Sequence, residues 1–220
     1  MIGMRDEAKR KRAAADSSPP CGADRTFKLP GTGITVSAAV PIIWKKDRRD
    51  LMAIENTCFH PMLRASEEWK ETRIASRGVV AAFARDGRRI VGETYGGPIE
   101  ERHKPEEGDM RQRIDFDRMF GLYKKMKGGV FYTESLAVMP EYRGMGVGTA
   151  LKGVLFMKLR RMGYEVAVGH ANSGDAMEIN RKFGAKVCGY YRDWCGTGET
   201  HYLYEVDLRL MRITDAVKRP

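Results

Sequence analysis

The 220-residue chain lacks the features that mark membrane and secreted proteins. It has no run of about eighteen apolar residues, so we expect no transmembrane helix and no membrane partner. The N-terminal segment is basic and polar and lacks the apolar core of a secretory signal, which predicts a cytoplasmic location. Apolar residues make up 42% and charged residues 31% of the chain. These proportions are typical of a soluble globular protein with one sizeable core.

Cysteine and histidine are too few, and too widely spaced, to indicate a disulfide framework or a metal site. The four cysteines are Cys21, Cys58, Cys188 and Cys195, and no two of them form a C-x-x-C pair. We expect free thiols in a reducing compartment, with a bridge between Cys188 and Cys195 as the alternative. The four histidines are His60, His103, His170 and His201. Their spacing matches no metal-ligand pattern, so no metal is expected.

Positive charge exceeds negative charge, with 39 Lys and Arg residues against 29 Asp and Glu residues and a net charge of +10. Part of this excess lies in the N-terminal segment, and the rest is spread along the chain in small clusters. Runs of charge usually form a solvated face. A basic surface also suits an anionic ligand or a nucleic acid. Charge alone does not separate these alternatives, so a nucleic-acid partner stays open.

The chain divides into a basic extension, one domain and a short tail. Residues 1–30 contain few large apolar side chains and are predicted to be disordered. Residues 31–210 carry the hydrophobic patterns of a folded domain, and residues 211–220 follow as a tail. A polar insert at about 98–129 interrupts the domain, with a short helix predicted at 115–126. An insert of this length in a compact domain is typical of a functional or mobile loop.

Apolar periodicity predicts one strand, two helices, three strands, a helix, a strand, a helix and two strands, in that order. A hairpin is the clearest element, because two apolar runs flank Asp86-Gly87. The predicted strands lie within 34–44 and at 78–84, 89–95, 130–139, 164–170, 186–192 and 201–208. The predicted helices are 46–58, 65–76, 146–162 and 174–183. This pattern indicates one domain of the α/β class.

A glycine-rich loop, Arg143-Gly144-Met145-Gly146-Val147-Gly148-Thr149, lies between a predicted strand and a predicted helix. Glycine lets the backbone approach a ligand closely, and the first turn of a helix has unpaired N–H groups. With the positive end of the helix dipole behind them, these groups can bind a pyrophosphate. A dinucleotide fingerprint needs G-x-G-x-x-G and a P-loop needs G-x-x-x-x-G-K, and neither spacing occurs here. A flexible glycine turn is the remaining alternative.

Residues Glu134–Gly148 resemble the acetyl-CoA-binding signature of the GNAT N-acetyltransferase superfamily. The signature is a strand ending Leu-x-Val, a Pro-Glu-Tyr-Arg turn and then Arg-x-x-Gly-x-Gly, whose last three fixed positions are filled by Arg143, Gly146 and Gly148. A second segment, 172–185, resembles the family's Asn, helix and Lys-x-Gly-Phe sequence. The resemblance is firm over about 130–192, looser in the first half of the domain, and absent from the insert and the N-terminal extension.

The resemblance implies a single GNAT-like α/β (α+β) domain, with a mixed, twisted sheet of six to seven strands flanked by about four helices. Two neighbouring strands, 130–139 and 164–170, would splay apart and hold acetyl-CoA between them. The backbone of Leu136, Ala137 and Val138 would bind the pantetheine arm. The pyrophosphate would be held by Arg143, Gly144, Met145, Gly146, Val147, Gly148 and Thr149. Asn172 and Asn180 are the remaining residues expected to bind the cofactor.

Attack of an amine on a thioester needs a base that removes a proton from the amine. Glu134 is the first candidate because it lies on the splayed strand two residues before Leu136, and a solvated or ion-paired strand residue is the alternative. Glu93, on the neighbouring hairpin strand, is the second candidate. His170 follows the second splayed strand, and its unperturbed pKa of about 6.5 suits proton transfer. A histidine with a structural role is the alternative there.

The acid that protonates the leaving thiolate is less well specified. In the family it is usually a tyrosine in the helix after the second splayed strand, and Asn180 occupies that position here. A carboxamide does not usefully protonate a thiolate. Either no acid is needed, or Tyr190 or Tyr191 supplies the proton from the following strand, with Tyr191 as our catalytic candidate. Ordinary strand aromatics are the alternative for both.

The sequence therefore predicts an acetyl-CoA-dependent N-acetyltransferase that acts by direct attack in a ternary complex. The acceptor would be a primary amine of a small molecule or a protein. Acidic residues of the insert could attract a polyamine, an aminoglycoside-like molecule or a lysine side chain. Two alternatives stay open, a nucleic-acid-associated enzyme of this fold and a non-catalytic acyl-CoA-binding protein, which Asn180 favours. An oligomeric assembly also stays open.

Overall fold

One eight-stranded sheet organises the part of the chain that the computed structural model describes, namely residues 26–39, 44–99, 123, 129–172 and 174–211. The strands are β1 (Phe27–Lys28), β2 (Ile34–Ala39), β3 (Val80–Asp86), β4 (Arg89–Pro98), β5 (Val130–Val138), β6 (Val166–Ala171), β7 (Lys186–Tyr191) and β8 (His201–Asp207). The helices are α1 (Trp44–Cys58), α2 (Glu67–Ala75), α3 (Val147–Arg161) and α4 (Gly174–Arg181). Among these residues, no helix is both long and apolar enough to cross a membrane.

The sheet is mixed, as expected from the sequence. Its strand order is β1-β2-β3-β4-β5-β6-β8-β7. β5 and β6 run parallel, and the other neighbouring strands run antiparallel. The four predicted helices outside the insert are confirmed as α1 to α4. Apart from residue 123, the helix predicted at 115–126 lies outside the described residues, as does most of the insert at 98–129.

The fold begins earlier than predicted, and the early start adds an eighth strand. The predicted extension runs to residue 30, but Phe27 and Lys28 form β1 and pair with β2. Phe27 is 7% exposed and Leu29 is 4% exposed, and both side chains belong to the core. Side chains two residues apart on an extended segment point to the same face, so the two bury together. Two apolar residues in a basic segment are too weak a signal to predict a strand, so the described sheet has one strand more than the seven predicted.

Helices cover both faces of the sheet. On one face, Leu151 of α3 packs in a cluster with Val91 of β4. On the other face, Leu51 of α1 packs in a cluster with Ile90. Ile90 and Val91 are neighbours on β4, and side chains alternate between the two faces of a strand. We refer to these as the α3 face and the α1/α2 face.

β5 carries one extra residue, Glu134. Tyr95 of β4 pairs with Ser135, whereas the next residue, Gly96, pairs with Thr133, so Glu134 has no partner on β4. This irregularity is a β-bulge, which bends the strand that carries it and increases its twist. Gly96 permits the close approach, because a Cβ there would lie 2.1 Å from a backbone carbonyl oxygen of β5.

β5 and β6 separate next to the bulge. Their parallel pairing runs from Val130 opposite Val166 to Thr133 opposite Gly169, and no further pair joins the two strands in the described part of the chain. β5 continues to Val138, paired with β4 alone. The splayed strand pair that the resemblance implies is therefore confirmed, and the edge of β5 that faces β6 is open.

A buried amine lies near this fork on the α3 face. Lys152 of α3 is 2% exposed, and its Nζ donates to Tyr204 Oη at 3.1 Å. Tyr204 Oη lies 2.5 Å from Oγ1 of Thr133, which is the last β5 residue paired with β6. A Cβ on Gly169 would lie 2.3 Å from Thr133 Oγ1, so a glycine is needed beside this network. Burial lowers the pKa of Lys152 to about 7.

We expect Lys152→Met to stabilise the fold near neutral pH. Between its folded pKa of about 7 and its ordinary value of 10.5, Lys152 binds a proton in the unfolded chain but not in the folded one. The free energy of unfolding therefore rises with pH through this window, by up to about 1.4 kcal/mol per pH unit. Methionine does not titrate, so the advantage of the variant should be largest near pH 7 and should shrink as the pH rises.

Urea unfolding near pH 7 and near pH 9 measures this difference. Lys186→Met, which replaces an exposed lysine of β7, is the matched control and should show no such pH dependence. A Lys152→Met variant that is less stable than the wild type at both pH values would contradict a cost of burying this lysine.

Candidate active site

The glycine-rich loop forms the start of α3. Gly144 and Gly146 have φ of 74° and 82°, a left-handed conformation that strongly favours glycine. Gly146 is the N-cap residue, and no side chain of the described residues caps the helix. The N–H groups of the first helical turn therefore point outward without an intrahelical partner, at the positive end of the helix dipole. This arrangement is suited to binding an anion.

Two cations lie beside this helix start. Arg143 is exposed, and its Nε donates to Val138 O at 3.0 Å, which holds the guanidinium at the end of β5. Lys182 follows α4, and its Nζ donates to Thr149 Oγ1 at 3.3 Å in the first turn of α3. Arg143 is one of the residues predicted from the sequence, whereas Lys182 is not. The signal for Lys182 was available, because the residue lies in the segment that resembles the family's Lys-x-Gly-Phe sequence.

The open edge of β5 offers backbone groups to a ligand. The N–H of Met139 donates to Val91 O of β4 at 2.9 Å, so in that peptide unit Val138 O points away from β4 and toward the gap. Because backbone groups alternate between the two edges of a strand, Leu136 and Val138 face the gap and Ala137 faces β4. Two of the three predicted pantetheine contacts are therefore available. Ala137 is a correction, since its peptide groups face Glu93 across the β4–β5 ladder.

Asn180 adds an acceptor that lacks a partner. The residue is 1% exposed, and its Nδ2 donates to Ala176 O at 2.8 Å. Its buried Oδ1 has no hydrogen-bond partner within the described part of the chain. A buried polar atom left in this way calls for a ligand, and the amide N–H groups of a pantetheine arm are suitable donors. Asn172, the other predicted contact, is exposed and donates to Glu199 Oε2 at 2.8 Å instead.

Glu134 is bound to an arginine. Its carboxylate accepts from Arg73 Nε at 2.9 Å and 3.0 Å, and Arg73 Nη2 also donates to it. The Arg73 side chain is 2% exposed, and a Cβ on Gly97 would lie 2.8 Å from its Nη2. In this geometry Glu134 is an ion-paired strand residue, which was the alternative to a catalytic base. Because two oxygens face one guanidinium, Glu134 is poorly placed to accept a proton from an amine.

Glu93, the second base candidate, belongs to a buried group of charges. Lys70 Nζ lies 2.7 Å from Glu93 Oε1 and 2.7 Å from Glu55 Oε2, and Lys70 and Glu93 are fully buried. Burial raises the pKa of Glu93, and Lys70 opposes this effect. One ammonium between two carboxylates holds α1, α2 and β4 together on the α1/α2 face. We interpret these three charges as structural, because removing one of them would leave an uncompensated buried charge.

His170 and Tyr191 meet around a tryptophan. His170 directly follows Gly169, the last β6 residue paired with β5. Its Nδ1 lies 2.8 Å from His201 Nδ1, and its ring centroid lies 4.5 Å from that of Trp194. Tyr191 packs edge-on against Trp194, with ring centroids 5.7 Å apart. Tyr190 is outside this cluster, since 60% of it is exposed.

The family assignment follows from a direct comparison. The profile of the Acetyltransferase (GNAT) family matches residues 48–190, which include the glycine-rich loop, the open strand edge and His170. The chain belongs to the GNAT family. GNAT proteins are acyltransferases that use acetyl-CoA, so the predicted enzyme class and cofactor are confirmed at the level of the family. No curated protein matches this GNAT chain in sequence.

Solved GNAT structures share its fold at low sequence identity. The ribosomal-protein-S18-alanine N-acetyltransferase from Escherichia coli aligns with a TM-score of 0.57 at 13% identity, over 80% of this chain and 94% of that chain. NAA60 from Arabidopsis thaliana, in complex with a bisubstrate analogue, aligns with a TM-score of 0.56 at 14% identity, over 78% and 98%. The yncA protein from Salmonella typhimurium, solved with its cofactor acetyl-CoA, aligns with a TM-score of 0.55 at 16% identity, over 83% and 98%.

The residues of this GNAT chain fit the cofactor that the family uses. An uncapped helix start with two adjacent cations suits a pyrophosphate, and an open strand edge with a buried carboxamide oxygen suits an arm that carries amide groups. Leu136, Val138, Arg143, Lys182 and Asn180 supply the parts of this site outside the loop backbone. Three residues of the cluster around His170 were not predicted from the sequence, namely Trp194, His201 and Glu199.

We expect Gly146→Asp to abolish the stabilisation of this GNAT domain by CoA. The new carboxylate would stand at the anion-binding end of α3 and repel a diphosphate. Gly163→Asp is the matched control, because Gly163 also has a positive φ, of 89°, but lies beyond the opposite end of the same helix. Thermal-shift assays with and without CoA measure the effect. Both variants should lose a similar amount of intrinsic stability, since each forces a Cβ into the left-handed region.

A rise in melting temperature on adding CoA that is as large for Gly146→Asp as for the wild type would contradict the assignment of this loop. A loss of the rise in Gly163→Asp as well would attribute the effect to strain in α3 and not to the loop.

Proposed function

We propose that this chain transfers an acetyl group from acetyl-CoA to a primary amine at the N-terminus of a peptide or protein. The observation that carries the proposal is the gap between β5 and β6. On one side of the gap lies the anion-binding start of α3, and at its fork lies His170 in an aromatic cluster. A ligand held along β5 and an amine beside His170 would meet at this fork.

The residues that would hold the cofactor divide along its length. Backbone N–H groups of the first turn of α3, together with Arg143 and Lys182, would bind the phosphates. The backbone groups of Leu136, the N–H of Val138 and the Oδ1 of Asn180 would bind the amide groups of the arm, since Val138 O already accepts from Arg143 and Cys58. When bound, acetyl-CoA supplies a thioester carbonyl that an amine can attack. The remaining chemistry belongs to the side chains around the fork.

His170 is the base that the geometry supports best. An alkylamine is mostly protonated near neutral pH, and attack requires the neutral form. His170 is half-buried, belongs to a hydrogen-bonded pair and lies next to the fork, whereas Glu134 is bound to Arg73. We assign Glu134 and Arg73 the task of holding the bulge of β5. Tyr191 stays a candidate acid, in contact with the same tryptophan.

Direct transfer is supported by the state of a cysteine that contacts the end of β5. Cys58 and Cys188 are free thiols, as expected from the sequence. Cys58 ends α1, and its Sγ donates to Val138 O at 3.4 Å. Burial raises the pKa of this thiol, which keeps it protonated and makes it a poor nucleophile. An acyl-cysteine route would need the thiolate, so attack by the amine itself is the simpler mechanism.

The apolar side chains on the acceptor side of the gap favour a peptide over a polyamine as the acceptor. Two connections meet there, the turn 61–63 after α1 and the turn 194–196 after β7. A Cβ on Gly196 would lie 3.3 Å from Met62 Cε, and Trp194 in the same turn is buried. Apolar and aromatic walls suit a peptide better than a polyamine. One structural relative supports this choice, since it is named for acetylating an alanine of a ribosomal protein.

A panel of amines tests the proposal, with release of free CoA thiol as the readout. We expect peptides with a free N-terminal amine to release thiol, and the same peptides with a blocked N-terminus, or spermidine, to release little. His170→Gln should lower kcat by roughly 100-fold, because general base catalysis typically contributes 10²–10⁴-fold, and should leave CoA binding intact. Tyr190→Phe, at an exposed tyrosine outside the cluster, is the control and should keep wild-type kcat.

The alternative is a non-catalytic acyl-CoA-binding protein, and Asn180 in the place of the family's tyrosine supports it. Binding of CoA with no thiol release from any amine would favour that alternative and contradict the proposed enzyme. Release with spermidine but not with peptides would keep the enzyme and overturn the proposed acceptor.

A further inference from the structure

A buried network of three side chains reaches the fork from the α3 face. Lys152 Nζ of α3 donates to Tyr204 Oη at 3.1 Å, and Tyr204 Oη lies 2.5 Å from Thr133 Oγ1. All three residues are 2% exposed. Thr133 belongs to the last pair between β5 and β6, so the network ends where the two strands separate. None of the three belongs to the cofactor-binding groups or to the cluster around His170.

The hydrogen bonds of this network run in one direction, from the amine to the strands. Thr133 Oγ1 donates its hydrogen to Val168 O at 3.0 Å, so it accepts in the contact with Tyr204. A hydroxyl has a single hydrogen, and Tyr204 gives it to Thr133 and accepts from Lys152. Lys152 is therefore the donor at the head of a continuous chain from α3 to β6.

Lys152 is buried among rings, without a carboxylate beside it in the described part of the chain. Its Nζ lies 5.6 Å from the ring centroid of Phe156 and 5.7 Å from that of Tyr204. Burial alone lowers the pKa of Lys152 to about 7. Near neutral pH the ammonium and the neutral amine are both populated. A group that has to give up a proton and take it back at this pH needs such a balance.

The other titratable groups nearby do not replace Lys152 as a donor. Burial raises the pKa of Tyr204, so its phenol stays neutral unless it is protonated from the amine as it gives up its own hydrogen. His170 and His201 lie on the opposite face of the sheet, because Gly169 pairs with Tyr204 and side chains alternate along a strand. The charge of Lys182 lies at the first turn of α3.

The proposed reaction calls for a proton donor at this place. Attack on the thioester releases a thiolate, and the carboxamide of Asn180 does not usefully protonate it. A Cβ on Gly169 would lie 2.3 Å from Thr133 Oγ1 and 2.6 Å from Tyr204 Oη, so a glycine lets the two hydroxyls meet beside the fork. A buried amine without a counter-charge is unfavourable for folding, and groups with strongly altered protonation are concentrated at functional sites.

We infer that Lys152, acting through Tyr204 and Thr133, supplies the proton that converts the leaving thiolate into CoA thiol. The inference rests on the proposed function, because it needs the thioester sulfur to lie at the fork. As the C–S bond breaks, the sulfur takes the hydroxyl hydrogen of Thr133. Thr133 Oγ1 takes the hydrogen of Tyr204, and Tyr204 Oη takes one from the Lys152 ammonium, which becomes a neutral amine. Thr133 touches the sulfur, and the other two residues act through it.

Two variants of the full chain test this relay, with thiol release from acetyl-CoA and a peptide amine as the readout. Lys152→Met removes the proton source, and Tyr204→Phe keeps the ring but interrupts the relay. We expect each to lower kcat by roughly 100-fold, as loss of a general acid typically does, and to leave the KM for acetyl-CoA and the thermal stabilisation by CoA unchanged. Lys186→Met, at an exposed lysine of β7, is the control and should keep wild-type kcat.

The pH profile of kcat separates a proton relay from a structural role. An acid has to carry its proton, so wild-type kcat should fall as the pH rises through the pKa of Lys152 in the complex with acetyl-CoA. Methionine does not titrate, and in Tyr204→Phe the titration of the lysine no longer reaches the sulfur. The fall at alkaline pH should therefore be absent from both variants and present in Lys186→Met.

Three results would overturn the inference and leave the proposed function intact. The first is wild-type kcat in Lys152→Met, and the second is a lower kcat that keeps its fall at alkaline pH. The third is a loss of CoA stabilisation along with activity, which would give Lys152 a structural role. A wild type that releases no thiol with any amine would overturn both the proposed function and the inference.

Discussion

The architecture of the site depends on one extra residue in β5. Glu134 has no partner on β4, and the bulge it forms coincides with the end of pairing between β5 and β6. The ion pair with Arg73 of α2 fixes the bulged residue to the α1/α2 face. β5 and β6 stop pairing at this point although β6 runs on to Ala171 and β5 to Val138. The binding gap is therefore a local interruption of strand pairing. It lies beside a bulge that one buried arginine stabilises.

Glycines at three positions make this interruption of pairing possible. Gly96 allows the backbone of β4 to approach β5 at the bulge, and Gly97 leaves room for the guanidinium of Arg73. Gly169 does the same for the hydroxyl network of Thr133 and Tyr204 at the fork. Each position would bring a Cβ within 3 Å of another atom. Close packing at the fork is thus achieved by removing side chains from β4 and β6, which lets polar groups from other elements reach the gap.

Different parts of the site have different chemical properties. The start of α3 and the cations beside it collect negative charge at one end of the gap. The histidine pair and the aromatic residues around it form a dry, polarisable surface at the fork. Buried charges elsewhere have structural tasks, as in the group of Lys70 with Glu55 and Glu93, which ties α1 and α2 to the sheet. This separation explains why the most deeply buried carboxylate is not the best base.

The sequence predicts the parts of the site that are local. The glycine-rich loop, the strand before it and the helix after it are one continuous segment, so spacing alone places Arg143, Gly146 and Gly148 together. Contacts between segments that are distant in the sequence cannot be predicted from spacing. Arg73 and Glu134 are 61 residues apart, and His170 and His201 are 31 apart, joined by the antiparallel pairing of β6 with β8. No periodicity in a single sequence reports such a register, and for this reason the base was assigned first to Glu134.

Amide hydrogen exchange tests most directly whether β5 presents an open edge to the cofactor. The N–H groups of Leu136 and Val138 face the gap, whereas that of Ala137 faces β4. If β5 presents an open edge, CoA should slow exchange at Leu136 and Val138, and Ala137, already protected by the ladder, should change little. Exchange at Leu136 and Val138 that is slow without CoA, or that stays fast at saturating CoA, would contradict it.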